Sequence, residues 1–361
     1  MKDIRGRRKV SRLALPESRL RSEYEVMKAA DITLIGWHFP HHAAHSGYDR
    51  LSEYLNIPVQ LFPGVSFPVN RLCLSYIDRC YILEAALHET RVAFEMSRKT
   101  GTHLVHFLYG ENSYRASAAL CNNPSIKWIA TFHQPPSILA ETGIDANVVQ
   151  GLTAVVLMGR TQIGFFEKLG AKHIHIIPHG IDCSYYSPSA QLRHQFRILT
   201  VGHWLRDFDM YFKVAEAAVK RNLPLQFRLI TRNFAPNRIT PSNFVIRHSV
   251  ADEELLSEYN SAACFYHPLL DATANNALLE AFACGLPAVV SDKGSIRDYV
   301  GNRGEVILCK EDVEEHLSAL LLVSSIGKDY RQRSSTARET AISYDWNRIA
   351  RAYESLYERY A

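Results

Sequence analysis

Short apolar runs alternate with stretches of helical period along almost the whole sequence, and helices are predicted, for example, at 82–97 and 162–169. The runs are apolar on both faces, and strands of this kind that are separated by helices form parallel sheets covered on both sides. The pattern therefore predicts an α/β protein with two doubly wound parallel sheets. The predicted strands cover residues 32–37, 59–62, 103–108, 126–132, 154–158 and 174–177 in the first half, and 196–201, 225–231, 244–247, 262–267, 287–291 and 305–308 in the second.

Breaks in this pattern place the boundaries of the predicted units. Near residues 178–193, Pro-His-Gly-Ile-Asp and Ser-Pro-Ser-Ala interrupt the alternation before a new strand begins. From Trp346 to Tyr357, apolar side chains recur at intervals of three and four, which indicates an amphipathic helix. A length of 361 residues exceeds the usual span of one hydrophobic core. We expect a leader at 1–30, Rossmann-like domains at 31–188 and 196–342, and a closing helix at 344–361.

The composition limits the class of protein. With 47% hydrophobic and 22% charged residues, the chain is typical of soluble globular proteins, and no stretch of about 20 apolar residues predicts a membrane span. A formal net charge of +4 does not indicate nucleic acid as a partner. Basic residues crowd the leader, which is a solvated tail, a contact with anionic lipid headgroups or a targeting segment. They are Lys2, Arg5, Arg7, Arg8, Lys9, Arg12, Arg19 and Arg21.

The seven cysteines are scattered along the chain and form no Cys-x-x-Cys pair. This distribution is typical of small buried thiols in a reducing compartment, and it does not indicate disulfides or a zinc site. We therefore expect a cytoplasmic protein, with peripheral contact to the inner face of the membrane as the further role open to the basic leader.

The most informative segment covers residues 271–292 and passes from a strand end through a polar loop into a short helix. Thr273 or Asn275 is placed to cap this helix, and Gly285 is placed to end it. The free amides and the dipole at such a helix start are a seat for a pyrophosphate. Glu280, one turn into the helix, either accepts both hydroxyls of a ribose or is an ordinary surface glutamate.

This segment resembles the donor-binding signature of glycosyltransferase family 4, which contains retaining nucleotide-sugar enzymes of the GT-B fold. The resemblance implies two Rossmann-like domains facing a cleft, a nucleoside-diphosphate sugar as co-substrate without a required cofactor or metal, and a glycan, lipid or small-molecule acceptor. It also implies that Glu280 holds the ribose and that Ala274, Asn275 and Asn276 contact phosphate and sugar. The matching residues are Asn276, Leu279, Glu280, Ala281, Ala283, Cys284, Gly285, Pro287 and Asp292.

Further likeness follows in the order of the family. Residues 158–161 and 172–182 resemble the end of its amino-terminal acceptor domain, and residues 198–202 resemble the first strand of its carboxy-terminal donor domain. Residues 346–357 resemble the helix that crosses back onto the first domain. The likeness adds Gly202, at the end of the donor domain's first strand, to the expected donor site.

Two departures from the family pattern leave catalytic competence open. The first acidic residue of the family falls on Ala272, and we assign its catalytic role to the adjacent Asp271 if the loop is one residue longer. The family's phosphate-neutralising cations fall on His203 and on a phenylalanine. Because two unbalanced phosphate charges in a cleft are costly, Arg206 and Arg232 are the expected replacements, with His203 kept in the predicted donor site.

Loops after strands of the first half supply the remaining expected site residues. Ser46-Gly47 resembles the small-residue loop that approaches donor phosphates and acceptor, with His45 beside it. His133 ends a strand at the carboxyl edge where α/β proteins bind ligands. By resemblance it is catalytic and contacts the donor sugar, and the alternative is a structural histidine. Glu111 follows another strand and is expected to line the same cleft.

The loop before Ser46 also contains several histidines that invite a metal site. No paired carboxylate or cysteine lies beside them, and Pro40 breaks any helix. We therefore expect a polar, acceptor-facing loop or a plain surface turn, without a metal. The histidines are His38, His41, His42 and His45.

The predicted activity is retaining transfer of a sugar to an acceptor hydroxyl. Helix amides and an arginine would stabilise the departing pyrophosphate, and domain closure would exclude water. Two alternatives stay open: another two-Rossmann enzyme such as a nucleotide-sugar epimerase, and a non-catalytic nucleotide-sugar-binding homologue acting as a scaffold or partner subunit, which Ala272 and His203 favour. An NAD-dependent dehydrogenase is not expected, because no Gly-x-Gly-x-x-Gly follows the first strand.

Overall fold

The computed structural model describes residues 31–36, 45–63, 77–115, 117–144, 146–232 and 240–361. The predicted leader and the histidines at positions 38, 41 and 42 lie outside the described residues. The described part contains two six-stranded sheets, and every strand pair in them is parallel. This architecture confirms the predicted fold class.

The strands of the first sheet are β1 (Asp31–Gly36), β2 (Gln60–Pro63), β3 (His103–Phe107), β4 (Ile126–Phe132), β5 (Ala154–Leu157) and β6 (Ile174–Ile176). They lie side by side in the order β2-β1-β3-β4-β5-β6. All residues of β3 and β5 are buried, as expected for strands covered on both faces. The order changes direction between β1 and β3, so the loops after these two strands flank the point where open α/β sheets bind ligands.

The helices of this first domain that the structure describes are α1 (Leu51–Tyr54), α2 (Ile77–Ser97), α3 (Gly110–Ser113), α4 (Ser117–Leu120), α5 (Pro136–Thr142), α6 (Ala146–Gln150) and α7 (Ile163–Lys168). Two of them correspond to the helices predicted at 82–97 and 162–169. The first begins five residues earlier than predicted. Short 3-10 turns precede α1 and α7, at Tyr48–Arg50 and Arg160–Gln162.

The strands of the second sheet are β7 (Arg197–Val201), β8 (Gln226–Thr231), β9 (Phe244–His248), β10 (Cys264–His267), β11 (Ala288–Ser291) and β12 (Val306–Cys309). Their order is β12-β11-β10-β7-β8-β9, which is the Rossmann order with its switch point between β7 and β10. All twelve predicted strands are confirmed, with boundaries that differ by at most two residues. The loops after β7 and β10 are therefore the ones that face a ligand.

The helices of the second half are α8 (Phe208–Lys220), α9 (Asp252–Ser261), α10 (Asn276–Ala283), α11 (Val313–Ser324), α12 (Lys328–Ser343) and α13 (Trp346–Tyr360). The last of them, α13, crosses back onto the first domain. Its buried face, which includes Trp346 and Tyr353, packs in one cluster with Leu104 and Val156 of the first sheet. The Tyr357 hydroxyl lies 2.7 Å from Nδ1 of His106. The closing helix thus lies against the first domain.

The two domains also contact each other directly beside the cleft. The Tyr299 hydroxyl donates to the carbonyl of Met158 at 2.7 Å. Nη1 of Arg160 lies 2.9 Å from Oδ1 of Asp298, and the hydroxyls of Thr161 and Ser295 lie 2.5 Å apart. We call this set of contacts, between residues 158–161 and 295–299, the interdomain seam. It joins the two domains at one side of the cleft.

Two simple predictions from composition can be compared with the described residues. No helix in this part of the chain combines the length and apolar character needed to cross a bilayer. The cysteines whose side chains are described are all buried and free, in agreement with the predicted small buried thiols; they are Cys121, Cys183, Cys264, Cys284 and Cys309.

Candidate active site

The loop after β10 and the start of α10 form the centre of the site. The Asn275 side chain caps α10 by accepting a hydrogen bond from the backbone N–H of Leu278 at 3.2 Å. The other predicted cap, Thr273, instead donates its hydroxyl to the carbonyl of His133 in the facing domain. Gly285 ends the helix with a φ of 66°, which glycine adopts without strain. The positive end of the helix dipole therefore lies at the cleft.

Glu280, one turn into α10, is almost completely buried, with 5% of its surface exposed. The Ser46 hydroxyl donates to Oε1, and the Tyr259 hydroxyl donates to Oε2 at 2.7 Å. The Tyr186 hydroxyl lies beside them, 3.3 Å from Oγ of Ser46. Burial raises the pKa of Glu280, and the hydrogen bonds from these hydroxyls oppose that rise. The residue is thus a buried carboxylate between two domains, not a surface glutamate.

Arg206 brings a positive charge to the same edge of the second sheet. The preceding Gly202, with a φ of 84°, turns the chain after β7, and a Cβ there would lie 3.3 Å from Nη2 of Arg206. The guanidinium donates to the carbonyls of Val201, at 3.0 Å, and Trp204, at 2.8 Å. Burial lowers the pKa of Arg206 to about 10, and the nearby Glu280 opposes this shift. Arg206 therefore stays a cation at neutral pH.

His133 and Glu111 form a buried pair across the cleft from α10. Oε1 of Glu111 accepts hydrogen bonds from the backbone N–H of His133 and from its Nδ1, both at 3.2 Å. Because a carboxylate only accepts, Nδ1 carries a proton. The Tyr48 ring packs on the imidazole with centroids 3.7 Å apart. Nε2 is buried and has no hydrogen-bond partner among the described residues.

Comparison with known proteins relates this site to a family. Residues 195–324 match the family described as Glycosyl transferases group 1. We call the carboxy-terminal domain, which contains this match, the group 1 domain. A curated relative, the MMP alpha-(1->4)-mannosyltransferase of Mycolicibacterium hassiacum, is 26% identical over 208 residues, which are 52% of this chain and 49% of the relative. The chain thus spans about half the length of the curated relative that it matches.

Solved structures resemble the chain over nearly its whole length. A sucrose-phosphate synthase from Thermosynechococcus elongatus has a TM-score of 0.70 at 15% identity, covering 91% of this chain and 98% of that chain. Anabaena HepE, solved with UDP and glucose, has a TM-score of 0.63 at 12% identity, covering 91% of this chain and 99% of that chain. These likenesses, together with the two facing parallel sheets, show that the fold is GT-B.

The group 1 domain brings most of the predicted donor residues to one edge. Asn275 is buried, Asn276 is half-buried, and Ala274 packs against the cores of both domains. His203 and Arg232 follow β7 and β8 at the same edge, but their residues are exposed. The structure therefore places the predicted donor residues at one edge of the second sheet, with His203 and Arg232 as the exposed members.

Asp271 lies in the loop before α10, where it contacts the facing domain. Its Oδ2 accepts a hydrogen bond from the Ser137 hydroxyl at 3.2 Å. Its Oδ1 accepts the backbone N–H of Ala272 at 2.8 Å. The Asp271 carboxylate therefore lies between the domains, while its predicted role in place of the acidic residue missing at position 272 stays a prediction.

The Ser46-Gly47 loop reaches across to the group 1 domain. Gly47 has a φ of 133°, a conformation that side chains rarely adopt, and Ser46 makes the contact to Glu280. His45 stacks on Tyr185 with centroids 3.6 Å apart, and its Nδ1 lies 3.3 Å from Oδ2 of Asp182. Among the described residues, no group of three or more potential metal ligands lies together.

Sequence patterns did not identify the hydroxyls that surround Glu280. Tyr259 lies on α9, 21 positions before Glu280, and its hydroxyl contacts the Glu280 carboxylate. Tyr186 lies in the segment between the domains and approaches the same carboxylate. Neither has a local spacing signal relative to Glu280. A fully buried His267 was missed for the same reason: it ends β10 inside an apolar run, and burial lowers its pKa well below the ordinary value.

Proposed function

We propose that the protein is a retaining glycosyltransferase that moves a sugar from a nucleoside-diphosphate sugar to an acceptor hydroxyl. The observation that carries the proposal is the start of α10 at an interdomain cleft, with the buried Glu280 carboxylate one turn behind it. A helix amino terminus binds phosphate, and a carboxylate accepts hydrogen bonds from the two hydroxyls of a ribose. The group 1 family match and the mannosyltransferase relative support this activity.

In this proposal, the donor lies along the carboxyl edge of the second sheet. The pyrophosphate takes the start of α10, where Asn275 and Asn276 lie, with Arg206 as the neutralising cation. The ribose takes Glu280. The sugar then extends across the cleft towards His133, whose Nε2 is without a partner among the described residues. HepE, a structural neighbour that binds UDP and glucose, supports a nucleotide-sugar donor.

Catalysis by this arrangement would rest on charge stabilisation. Positive charge develops on the sugar ring, and negative charge develops on the departing pyrophosphate, which the helix dipole and Arg206 stabilise. The leaving phosphate takes the acceptor proton on the same face of the sugar, which retains the configuration. Closure of the two domains at the interdomain seam excludes water that would otherwise hydrolyse the donor.

A second candidate function is nucleotide-sugar binding without transfer. It is favoured by Ala272, which removes one acidic residue, and by Glu280, whose two oxygens already accept hydrogen bonds from protein hydroxyls. A protein of this kind would bind the donor as a scaffold or partner subunit. Turnover distinguishes the two functions, because both predict binding and only the first predicts release of the nucleotide.

The test is calorimetric titration with UDP, GDP, ADP and their sugar conjugates, on the unmodified protein and on Glu280→Gln. We expect one nucleotide to bind with micromolar affinity, and the substitution to weaken it about 10- to 100-fold through the loss of charge-assisted hydrogen bonds. Release of that nucleotide from its sugar conjugate in the presence of acceptors would then identify transfer. If no nucleotide binds, both functions are wrong.

A further inference from the structure

The two oxygens of the Glu280 carboxylate accept hydrogen bonds from opposite sides. Ser46 donates to Oε1 and Tyr259 donates to Oε2. Both donors are side-chain hydroxyls, and both are themselves buried, with 8% and 0% of their surfaces exposed. In the proposed function the two hydroxyls of a ribose would bind the same carboxylate. The protein therefore presents to Glu280 the same chemical groups as the nucleoside.

The two hydroxyls belong to different domains. Tyr259 lies on α9 and packs in the same core cluster as Leu278 and Phe282 of α10, so it moves with Glu280. Ser46 lies in the loop of the first domain, on the opposite side of the cleft. A rotation of the domains would therefore withdraw Ser46 from the carboxylate and leave Tyr259 in place.

We propose that the Ser46 hydroxyl occupies the ribose position on Glu280 and links the two domains there, while Tyr259 positions the carboxylate for the nucleoside. This inference rests on the proposed function. It makes Ser46 a competitor of the nucleotide and Tyr259 a positioning residue, although both donate to the same group.

The hydrogen bond between Ser46 and Glu280 is buried, and burial strengthens it. A hydrogen bond to a carboxylate is stronger than one between neutral groups, and more so where water is excluded. The Tyr186 hydroxyl lies 3.3 Å from Oγ of Ser46 and further restrains the position of Ser46. The hydrogen bond between Ser46 and Glu280 must break before the ribose of the nucleotide can bind Glu280. The free energy needed to break it lowers the observed affinity for the nucleotide. The nucleotide thereby also releases one contact between the domains.

Opposite effects of two hydroxyl deletions test this proposal. With the nucleotide found by titration, we expect Ser46→Ala to bind about tenfold more tightly and Tyr259→Phe about tenfold more weakly than the unmodified protein. The control is Ser335→Ala, since Ser335 also donates to a glutamate, Glu339, at 3.2 Å, but on the exposed face of α12. It should leave the affinity unchanged.

Inorganic pyrophosphate separates positioning from general damage. It carries no ribose, so Tyr259→Phe should leave its affinity unchanged, whereas a distorted site would lose both ligands.

The outcomes separate this inference from the function on which it rests. If the nucleotide binds but Ser46→Ala weakens it or leaves it unchanged, Ser46 is not a competitor and the inference is wrong. If Tyr259→Phe leaves nucleotide affinity unchanged, the positioning role is wrong. If neither the unmodified protein nor Ser46→Ala binds any nucleotide, the proposed function fails and the inference fails with it.

Discussion

A single methyl group added at Gly159 should force the interdomain seam apart. Gly159 belongs to the first domain, and a Cβ built on it would lie 2.2 Å from both Cβ and Oγ of Ser295 in the second. Its φ of −162° is extended backbone that any residue adopts, so Gly159→Ala introduces no backbone strain. The effect of the substitution is therefore a steric collision between the domains.

The loss of stability in Gly159→Ala can be estimated from the displacement of Ser295. Ser295 is buried, with 2% of its surface exposed, and its hydroxyl lies 2.5 Å from that of Thr161. Overpacking of a dense contact costs about 1–3 kcal/mol, and loss of the Thr161–Ser295 hydrogen bond adds about 1 kcal/mol. We expect Gly159→Ala to lower the free energy of unfolding by about 2–4 kcal/mol, and to lower Tm by about 3–5 °C.

Scanning calorimetry and X-ray scattering measure the two consequences. Gly159→Ala should lower Tm and increase the radius of gyration. The matched partner is Ser295→Gly, which removes the opposing side chain. In the double variant the added methyl group has room. The free energy of unfolding should therefore fall by at least about 1 kcal/mol less than the sum of the losses in the two single variants. Unchanged stability and scattering for Gly159→Ala would refute the closely packed seam and imply a more open cleft in solution.

Three further predictions concern the rest of the molecule. Gly180→Ala should lower stability by about 1–3 kcal/mol in chemical denaturation, because its Cβ would lie 2.2 Å from the indole of Trp346; a neutral result would contradict that packing. Burial lowers the pKa of His106 from 6.5 to about 3. Between these pH values the unfolded chain binds one proton more than the folded protein. The free energy of unfolding therefore falls as the pH drops below about 6.5, by about 1.4 kcal/mol per pH unit. His106→Gln should remove that part of the slope, measured by urea unfolding between pH 6 and 4, and an unaltered slope would place His106 in a wetter site. Arg206→Gln should weaken pyrophosphate at least tenfold by calorimetry, and retention of affinity would assign the cation to another residue.

The fold was predictable from the sequence because its signals are local. Alternation of apolar runs with helical stretches fixes parallel strands, and Gly285 and Asn275 mark the ends of α10 by their own conformational and hydrogen-bonding properties. Each of these signals lies within a few positions of the feature that it predicts.

The surroundings of Glu280 were not predictable in the same way. Its position on α10 follows from spacing, but its partners come from positions 46 and 259, which only the closed fold brings together. Burial also depends on the facing domain, so a sequence reading could not decide between a surface carboxylate and a buried one. The pairing of His133 with Glu111 was missed for this reason, although both were expected at the cleft.

The crossing of α13 onto the first domain has a consequence for synthesis on the ribosome. The core of that domain includes Trp346, Tyr353 and Tyr357, which are translated about 170 residues after Ile177, the last member of the cluster that precedes the second domain. At about 5–20 residues per second, the nascent first domain waits roughly 10–30 s with this apolar face uncovered. During that interval it depends on chaperones or on the ribosome surface for protection. A premature stop before α13 would therefore damage the domain that is made first.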